Sequence, residues 1–240
     1  MNGYETNGTY QDAYFSVNLV LAYITISSTS LIAIPSTAVP AARIAPLLCA
    51  GGTALGGLRA TGLSAPGKWV CVTGAAGGVG GLVCRYALHM GLKVIAVDSA
   101  RKAAICEAIG VHIFVDYETA DMVVPRIKNA TGGRGPDGVV VCSASPESYS
   151  QAVEYAAVGG RIVSIGPSMI HLHTGPMMVK GLMLIAQANG SGRDIQDAVR
   201  LGIEDGILPH VELIQLADVD EALDKLKAGK ALARQVIQWP

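Results

Sequence analysis

The chain has 240 residues, half of them hydrophobic and 15% charged, with a formal net charge of −1. The balanced charge and the absence of a basic run argue against nucleic-acid binding and against a polybasic attachment to membranes. The five cysteines are scattered without C-x-x-C spacing, so no disulfide framework is readable. A reducing, cytoplasmic location is therefore expected.

The first fifty residues lack the regular pattern of the rest of the chain. No charged residue lies between Asp12 and Arg43, and the stretch 19–34 is mostly apolar. A membrane-spanning helix needs about 20 predominantly apolar residues. The polar run Thr25–Ser30 interrupts this stretch and Pro35 follows it, so a β-strand is favoured over a transmembrane helix.

From Trp69 onward, short apolar runs alternate with helical segments. The predicted strands are Trp69–Thr73, Val94–Val97, Ile113–Val115, Val139–Cys142, Arg161–Ile165, Leu184–Ala186 and Gln235–Ile237. The predicted helices are Val79–Met90, Arg101–Ile109, Ala120–Ala130, Pro146–Ala157, Asp194–Leu201 and Val219–Ala228. Continuous apolar runs between helices are typical of a parallel sheet that is buried on both faces. The sequence therefore predicts an α/β fold with a doubly wound, Rossmann-type parallel sheet.

The first of these strands leads into a glycine-rich loop, Gly74-Ala75-Ala76-Gly77-Gly78-Val79-Gly80, that opens a helix. A dinucleotide-binding fingerprint requires this strand–loop–helix context. Glycine permits the tight turn and the close approach of a pyrophosphate, and the helix N-terminus offers free N–H groups to it. The predicted cofactor contacts are Gly74, Ala76, Gly77, Gly78, Val79 and Gly80. A glycine-rich turn with only a structural role is the competing interpretation.

Asp98 strengthens the dinucleotide interpretation. It lies 18 residues beyond Gly80, at the end of the second apolar run. A carboxylate at this point can accept hydrogen bonds from both adenosine ribose hydroxyls. It would also repel a 2′-phosphate, so NAD is favoured over NADP, although Arg101 and Lys102 nearby temper that preference.

Several segments resemble the medium-chain, zinc-dependent alcohol dehydrogenases, especially the tetrameric yeast type. The similar segments are 7–11, 45–51, 74–80, 179–182 and 233–237, so the resemblance extends over nearly the whole chain. It implies remnants of a GroES-like catalytic domain at both ends of the Rossmann domain. The expected division is a catalytic-domain remnant at 1–50, the NAD-binding domain at 51–187 and a returning segment at 188–240.

The resemblance also implies roles for individual residues. Lys102 would lie near the adenosine ribose, and Arg234 would reach the cofactor phosphates. Ser143, Ile165 and Gly166 would line the nicotinamide side of the site. These assignments follow from matching positions in the family.

Cys49 matches one of three protein ligands of the family's catalytic zinc. The other two ligands lie further upstream in that family, whereas residues 1–48 of this chain contain no Cys and no His. Because catalytic zinc needs three protein ligands and an open fourth position, one thiolate cannot hold it. The chain therefore resembles a dehydrogenase that lacks its first half, and Cys49 is either a lone zinc ligand or a simple buried thiol.

A second departure from the family is the apolar segment 19–30, which is longer than the family's connection. It is either a real insertion or a translated intron.

The sequence predicts an NAD(H)-dependent, alcohol-dehydrogenase-like oxidoreductase that acts on a small alcohol or aldehyde and lacks a complete zinc site. The family further suggests a homo-oligomer. Two alternatives stay open: a zinc-independent enone or quinone reductase of the same superfamily, and a non-catalytic NAD-binding fragment.

Overall fold

The computed structural model describes residues 32–35 and 37–238, and those from Ile34 onward belong to one compact unit. Its strands are β1 Trp69–Thr73, β2 Lys93–Asp98, β3 Ile113–Asp116, β4 Gly138–Val141, β5 Arg161–Ser164, β6 Met183–Ala186, β7 Val211–Ile214 and β8 Arg234–Ile237. Its α-helices are α1 Ala41–Ile44, α2 Ala50–Ala60, α3 Gly80–His89, α4 Ala103–Ile109, α5 Ala120–Ala130, α6 Pro146–Tyr155, α7 Thr174–Lys180, α8 Gly192–Glu204 and α9 Val219–Lys227. The apolar segment 19–30, and the strand predicted around it, lie outside the described residues.

The first six strands form one parallel sheet in the order β3-β2-β1-β4-β5-β6. This order confirms the predicted doubly wound Rossmann sheet. The strand order reverses between β1 and β4, which lie next to each other in the sheet. In open α/β sheets, ligands bind outside the carboxyl ends of the strands at such a reversal point.

The register of the sheet brings three loops to the same edge. Thr73, the last residue of β1, pairs with Val97 of β2 and with Val141 of β4. The glycine loop, Asp98 and the segment after β4 therefore begin at the same level. The tertiary fold thus places the predicted cofactor residues next to one another.

The core lies on both faces of this sheet because the strand side chains alternate between them. Val70 and Val72 of β1 pack into a cluster with α2, α3 and α8, whereas Cys71 between them packs with α5 and α6. All three side chains are fully buried. Helices thus cover both faces, as a buried parallel sheet requires.

Helix α2 was not predicted from the sequence. It contains four glycines, which disfavour an isolated helix. Tertiary packing explains them: a Cβ on Gly52 would come 2.5 Å from Ile195 of α8, and one on Gly57 would come 2.5 Å from Ile165. The helix forms because the missing side chains let it lie close to α8 and to the sheet.

The described helices include none that could cross a membrane on its own. Only the pair Ala41–Leu48 and Ala50–Ala60, bent by 47° at their junction, has the length and composition for a span. Within this pair, residues 50–58 are all buried in the protein core.

After the main sheet, the chain returns through α8, β7, α9 and β8. Strands β7 and β8 form a separate parallel pair. The sequence predicted α8, α9 and β8 but not β7 or α7, which are only four and seven residues long. The predicted helix 101–109 begins as a 3₁₀ turn, Ala100–Lys102, before it continues as α4.

Candidate functional site

The glycine loop turns sharply between β1 and α3. Gly74 has a φ of +64°, a left-handed conformation that glycine adopts without strain. The Gly77 N–H donates to the Gly74 carbonyl at 3.0 Å and closes the turn. A Cβ on Gly80 would collide with the same carbonyl, so helix and strand approach more closely here than any other residue allows. The loop leaves the N-terminus of α3 free to face an anion.

A cleft of about 440 Å³ lies against this loop. Its walls come from the loop, α3, α4 and the segment between residues 209 and 235. Three cationic side chains, Arg85, Lys102 and Arg234, line it, and its described lining contains no Asp or Glu. The cleft is therefore suited to an anionic ligand of small-molecule size.

Arg234 reaches the cleft from β8. A Cβ on Gly78 would come 2.8 Å from its guanidinium carbon, Cζ. Because Gly78 has no side chain, the guanidinium can occupy this space. A cation thus lies against the glycine loop, close to the N-terminus of α3.

Asp98 lies beneath the loop and is 6% exposed. Its Oδ2 accepts a hydrogen bond from the Ala76 N–H at 2.9 Å, and its Oδ1 accepts one from the Ser99 N–H at 2.8 Å. Arg101 donates from Nε to the Ser99 hydroxyl at 3.2 Å, and Lys102 lines the cleft. The predicted acid and its neighbouring cations therefore lie at one end of the glycine loop.

Ser143, Ile165 and Gly166 lie at the carboxyl ends of β4 and β5. The hydroxyls of Thr73 and Ser143 are 3.0 Å apart, and Ser143 donates to the Ser148 hydroxyl at 2.7 Å. A Cβ on Gly166 would collide with the Ser143 carbonyl. These residues adjoin the start of the glycine loop and stand apart from the cleft lining that contains Lys102 and Arg234.

A family profile described as zinc-binding dehydrogenase matches residues 78–204, which is more than half of the chain. The chain belongs to this dehydrogenase family.

Curated relatives of this chain are named alcohol dehydrogenases. Alcohol dehydrogenase 1 of Caenorhabditis elegans is 32% identical over 241 residues, which cover 99% of this chain and 65% of the relative. Alcohol dehydrogenase 1 of Emericella nidulans is 30% identical over 245 residues, which cover 100% of this chain and 67% of the relative. The chain thus spans about two thirds of the length of the curated relatives that it matches.

Solved structures of this fold agree with the architecture. The crystal structure of AibC superimposes with a TM-score of 0.79 at 28% identity, over 86% of this chain and 63% of that one. The likeness covers most of this chain, and it supports the fold class that the strand order shows.

Cys49, the candidate zinc ligand of this chain, is exposed just before α2. Its carbonyl accepts a hydrogen bond from the Thr53 hydroxyl at 2.8 Å. Over residues 32–35 and 37–238, no three His, Cys, Asp or Glu side chains are grouped so that they could hold a metal ion. The residues described here do not fit a catalytic zinc ion.

Among the residues that line the cleft, sequence reasoning missed three titratable side chains, those of Arg85, Cys142 and His210. Burial lowers the pKa of Arg85, and the positive charge of Arg43 adds to this effect. Burial raises the pKa of the Cys142 thiol to about 12. Arg85 could have been found from its spacing, because it lies one helical turn beyond Gly81 on the same face of α3. The other two gave no local signal.

Proposed function

We propose that the chain binds NAD(H) in this cleft and acts as an alcohol-dehydrogenase-like oxidoreductase. The observation that carries the proposal is the meeting of the glycine loop and Arg234 at one cleft, with Asp98 hydrogen-bonded to the loop beneath it. The names of the curated relatives support an alcohol or aldehyde as substrate.

The residues in and beside the cleft can be matched to the parts of a dinucleotide. The N-terminus of α3 and the Arg234 guanidinium would neutralise the diphosphate. Asp98 would accept the adenosine ribose hydroxyls with Lys102 beside it, and its charge would disfavour a 2′-phosphate. Ser143, Ile165 and Gly166 would form the nicotinamide side. When bound, NAD supplies the hydride acceptor at its nicotinamide ring.

No chemical step is assigned to zinc, because Cys49 is the only candidate ligand that the described residues offer. A second candidate function is therefore a zinc-independent reduction of an enone or quinone, in which the cofactor and a shaped pocket suffice. A third is NAD binding without turnover. The same proposal includes the division of the chain into segments 1–50, 51–187 and 188–240. It also includes a cytoplasmic location.

A titration of the purified chain with NADH, followed by nicotinamide fluorescence, tests cofactor binding. We expect saturable binding of NADH that is tighter than binding of NADPH. A panel of alcohols, aldehydes and enones, assayed with and without a chelator, then separates the candidates. Oxidation of an alcohol or reduction of an aldehyde that a chelator leaves unchanged supports the first function, and chelator-insensitive enone reduction supports the second. Absence of saturable NADH binding would refute the proposal.

The free edge of the sheet supports a homo-oligomer. Strand β6 pairs only with β5 in the described sheet, and its side chains Met183 and Leu184 are 44% and 36% exposed. An edge strand with apolar side chains is a template for pairing with another chain. Size-exclusion chromatography with light scattering should give at least twice the mass of the chain, and Leu184→Lys should shift it toward the monomer. A monomeric wild-type chain would refute this part.

A further inference from the structure

We propose that Asp98 positions the phosphate-binding loop, in addition to any contact that it makes with ribose. This inference rests on the proposed NAD site. The carboxylate would hold the Ala76 amide in place and thereby keep the loop in the conformation that accepts a diphosphate. Asp98 is then a positioning residue for phosphate recognition.

The first observation is which groups donate hydrogen bonds to the Asp98 carboxylate. The residue is buried, and a buried carboxylate needs donors to offset the loss of hydration. Both oxygens receive backbone N–H donors, Oδ2 from Ala76 at 2.9 Å and Oδ1 from Ser99 at 2.8 Å. Hydrogen bonds to an ionised group are about twice as strong as neutral ones. The bond to Ala76 therefore ties the loop after β1 to the end of β2.

The second observation is the position of Ala76 within the loop. Its neighbour Ala75 donates its N–H to the Val97 carbonyl at 3.3 Å, so two consecutive amides of the loop are anchored on the end of β2. The next amide, that of Gly77, closes the turn onto Gly74. The loop is therefore held against the end of β2, and the N–H groups of residues 78–80, just before and at the start of α3, have no backbone acceptor among the described residues.

The two roles of Asp98 are compatible. An ionised carboxylate offers about four acceptor positions. The amides of Ala76 and Ser99 occupy two of them, which leaves two for the two ribose hydroxyls. One side chain can therefore hold the loop and bind the ribose. Its removal would then weaken binding of both the ribose and the diphosphate.

The neighbouring strand supplies a matched control. Asp116 ends β3 and pairs in register with Asp98. Its Oδ1 also accepts two backbone N–H groups, from Ala100 and Glu118, both at 3.1 Å. These bonds hold the turns after β2 and β3 and do not reach the glycine loop. Asp116→Asn therefore removes the same charge outside the loop, and its remaining oxygen can keep both bonds.

The experiment compares the wild-type chain, Asp98→Asn and Asp116→Asn by two readouts. The first is hydrogen exchange of individual amides by NMR. The second is binding of inorganic pyrophosphate, which has no ribose, measured by calorimetry. An asparagine offers only one acceptor oxygen, so Asp98→Asn deprives one of the two amides of its partner. We expect the Ala76 amide to exchange about tenfold faster and pyrophosphate to bind about tenfold more weakly. Asp116→Asn should leave both within about twofold.

Two results would overturn the inference: unchanged pyrophosphate affinity in Asp98→Asn, or an unprotected Ala76 amide in the wild-type chain. The second measurement needs no variant, so it decides the matter even where Asp98→Asn fails to fold. A wild-type chain that binds neither NADH nor pyrophosphate would instead refute the proposed function. Amide exchange at Ala76 then still tests the loop contact by itself.

Discussion

The guanidinium of Arg234 occupies the space that a side chain on Gly78 would need, since a Cβ there would come 2.8 Å from Cζ of the arginine. The last strand of the chain is in this way fitted to the first loop of the Rossmann domain. The guanidinium can lie this close to the loop because Gly78 has no methyl group.

We expect Gly78→Ala to displace the guanidinium and to weaken NADH binding about tenfold, equivalent to about 1.4 kcal/mol. Arg234→Gln should have a similar effect and should reduce the salt dependence of binding. Because both changes remove the same contact, the double variant should lose little more than either single one. Fluorescence titration at two salt concentrations measures all three.

Gly192→Ala is the matched control for this pair, because a Cβ at Gly192 meets no atom within 4 Å. It should bind NADH like the wild type. Additive losses in the double variant would show that Gly78 and Arg234 act separately.

Lys180, at the end of α7, caps the carboxyl end of α6. Its Nζ donates to the carbonyls of Val153, Glu154 and Ala156 at 2.9, 2.6 and 3.2 Å. A cation at this end also interacts favourably with the helix dipole. After discounting for its partial exposure, we expect Lys180→Met to lower the free energy of unfolding by about 1 kcal/mol. Urea denaturation measures this change.

The control is Lys227→Met, since Lys227 is an exposed lysine whose described ion pair is a 3.5 Å contact with Asp224. Its loss should change the free energy of unfolding by less than about 0.5 kcal/mol. Equal losses in the two variants would contradict the capping role of Lys180.

Asp137 should make the free energy of unfolding depend on pH under acidic conditions. Burial alone would raise its pKa, but hydrogen bonds from the Trp69 N–H at 2.9 Å and from Lys68 at 3.1 Å hold it below the ordinary 3.8. Because the folded-state pKa is the lower one, the stabilisation is fully present above 3.8 and is lost as the pH falls through the folded-state value.

Asp137→Ala should therefore destabilise the protein by about 1–2 kcal/mol at pH 7 and by less near pH 2.5. Urea unfolding of both proteins at each pH provides the comparison. Asp224→Ala, at an exposed position, should cost less than about 0.5 kcal/mol at either pH. If Asp137→Ala lowers the free energy of unfolding by the same amount at both pH values, the assignment is wrong.

The cysteines should differ strongly in their reactivity toward iodoacetamide. Cys49 is exposed, whereas Cys71 is fully buried and Cys142 has its pKa raised to about 12 by burial. At pH 8 only about one Cys142 in ten thousand is a thiolate, so its alkylation should be very slow. Raising the pH to about 10 should accelerate it about a hundredfold.

Mass spectrometry of peptides after timed labelling gives these rates. We expect Cys49 to react first and Cys71 to react only after unfolding. Labelling of Cys142 as fast as that of Cys49 at pH 8 would contradict its burial. Where NADH binds in the cleft, it should slow Cys142 further, because that residue lines the cleft.

Local sequence patterns were sufficient for the repeated strand–helix units. Helix α5 begins and ends where its periodicity predicts, and β1 follows the apolar run Trp69–Thr73. The glycine loop and Asp98 were also readable, because each is defined by its distance from a strand end. These features depend on interactions within about thirty residues, which is the span of one βαβ unit.

Tertiary structure decided the rest. Helix α2 forms despite four glycines, because only a helix without side chains at those positions fits against α8 and the sheet. The contact of Arg234 with Gly78, and the inclusion of His210 in the cleft beside the glycine loop, join residues far apart in the chain. Sequence alone identified the glycine loop as the candidate anion-binding loop. Packing of the returning C-terminal segment brought Arg234 to that loop, because no local pattern encodes a contact between distant elements.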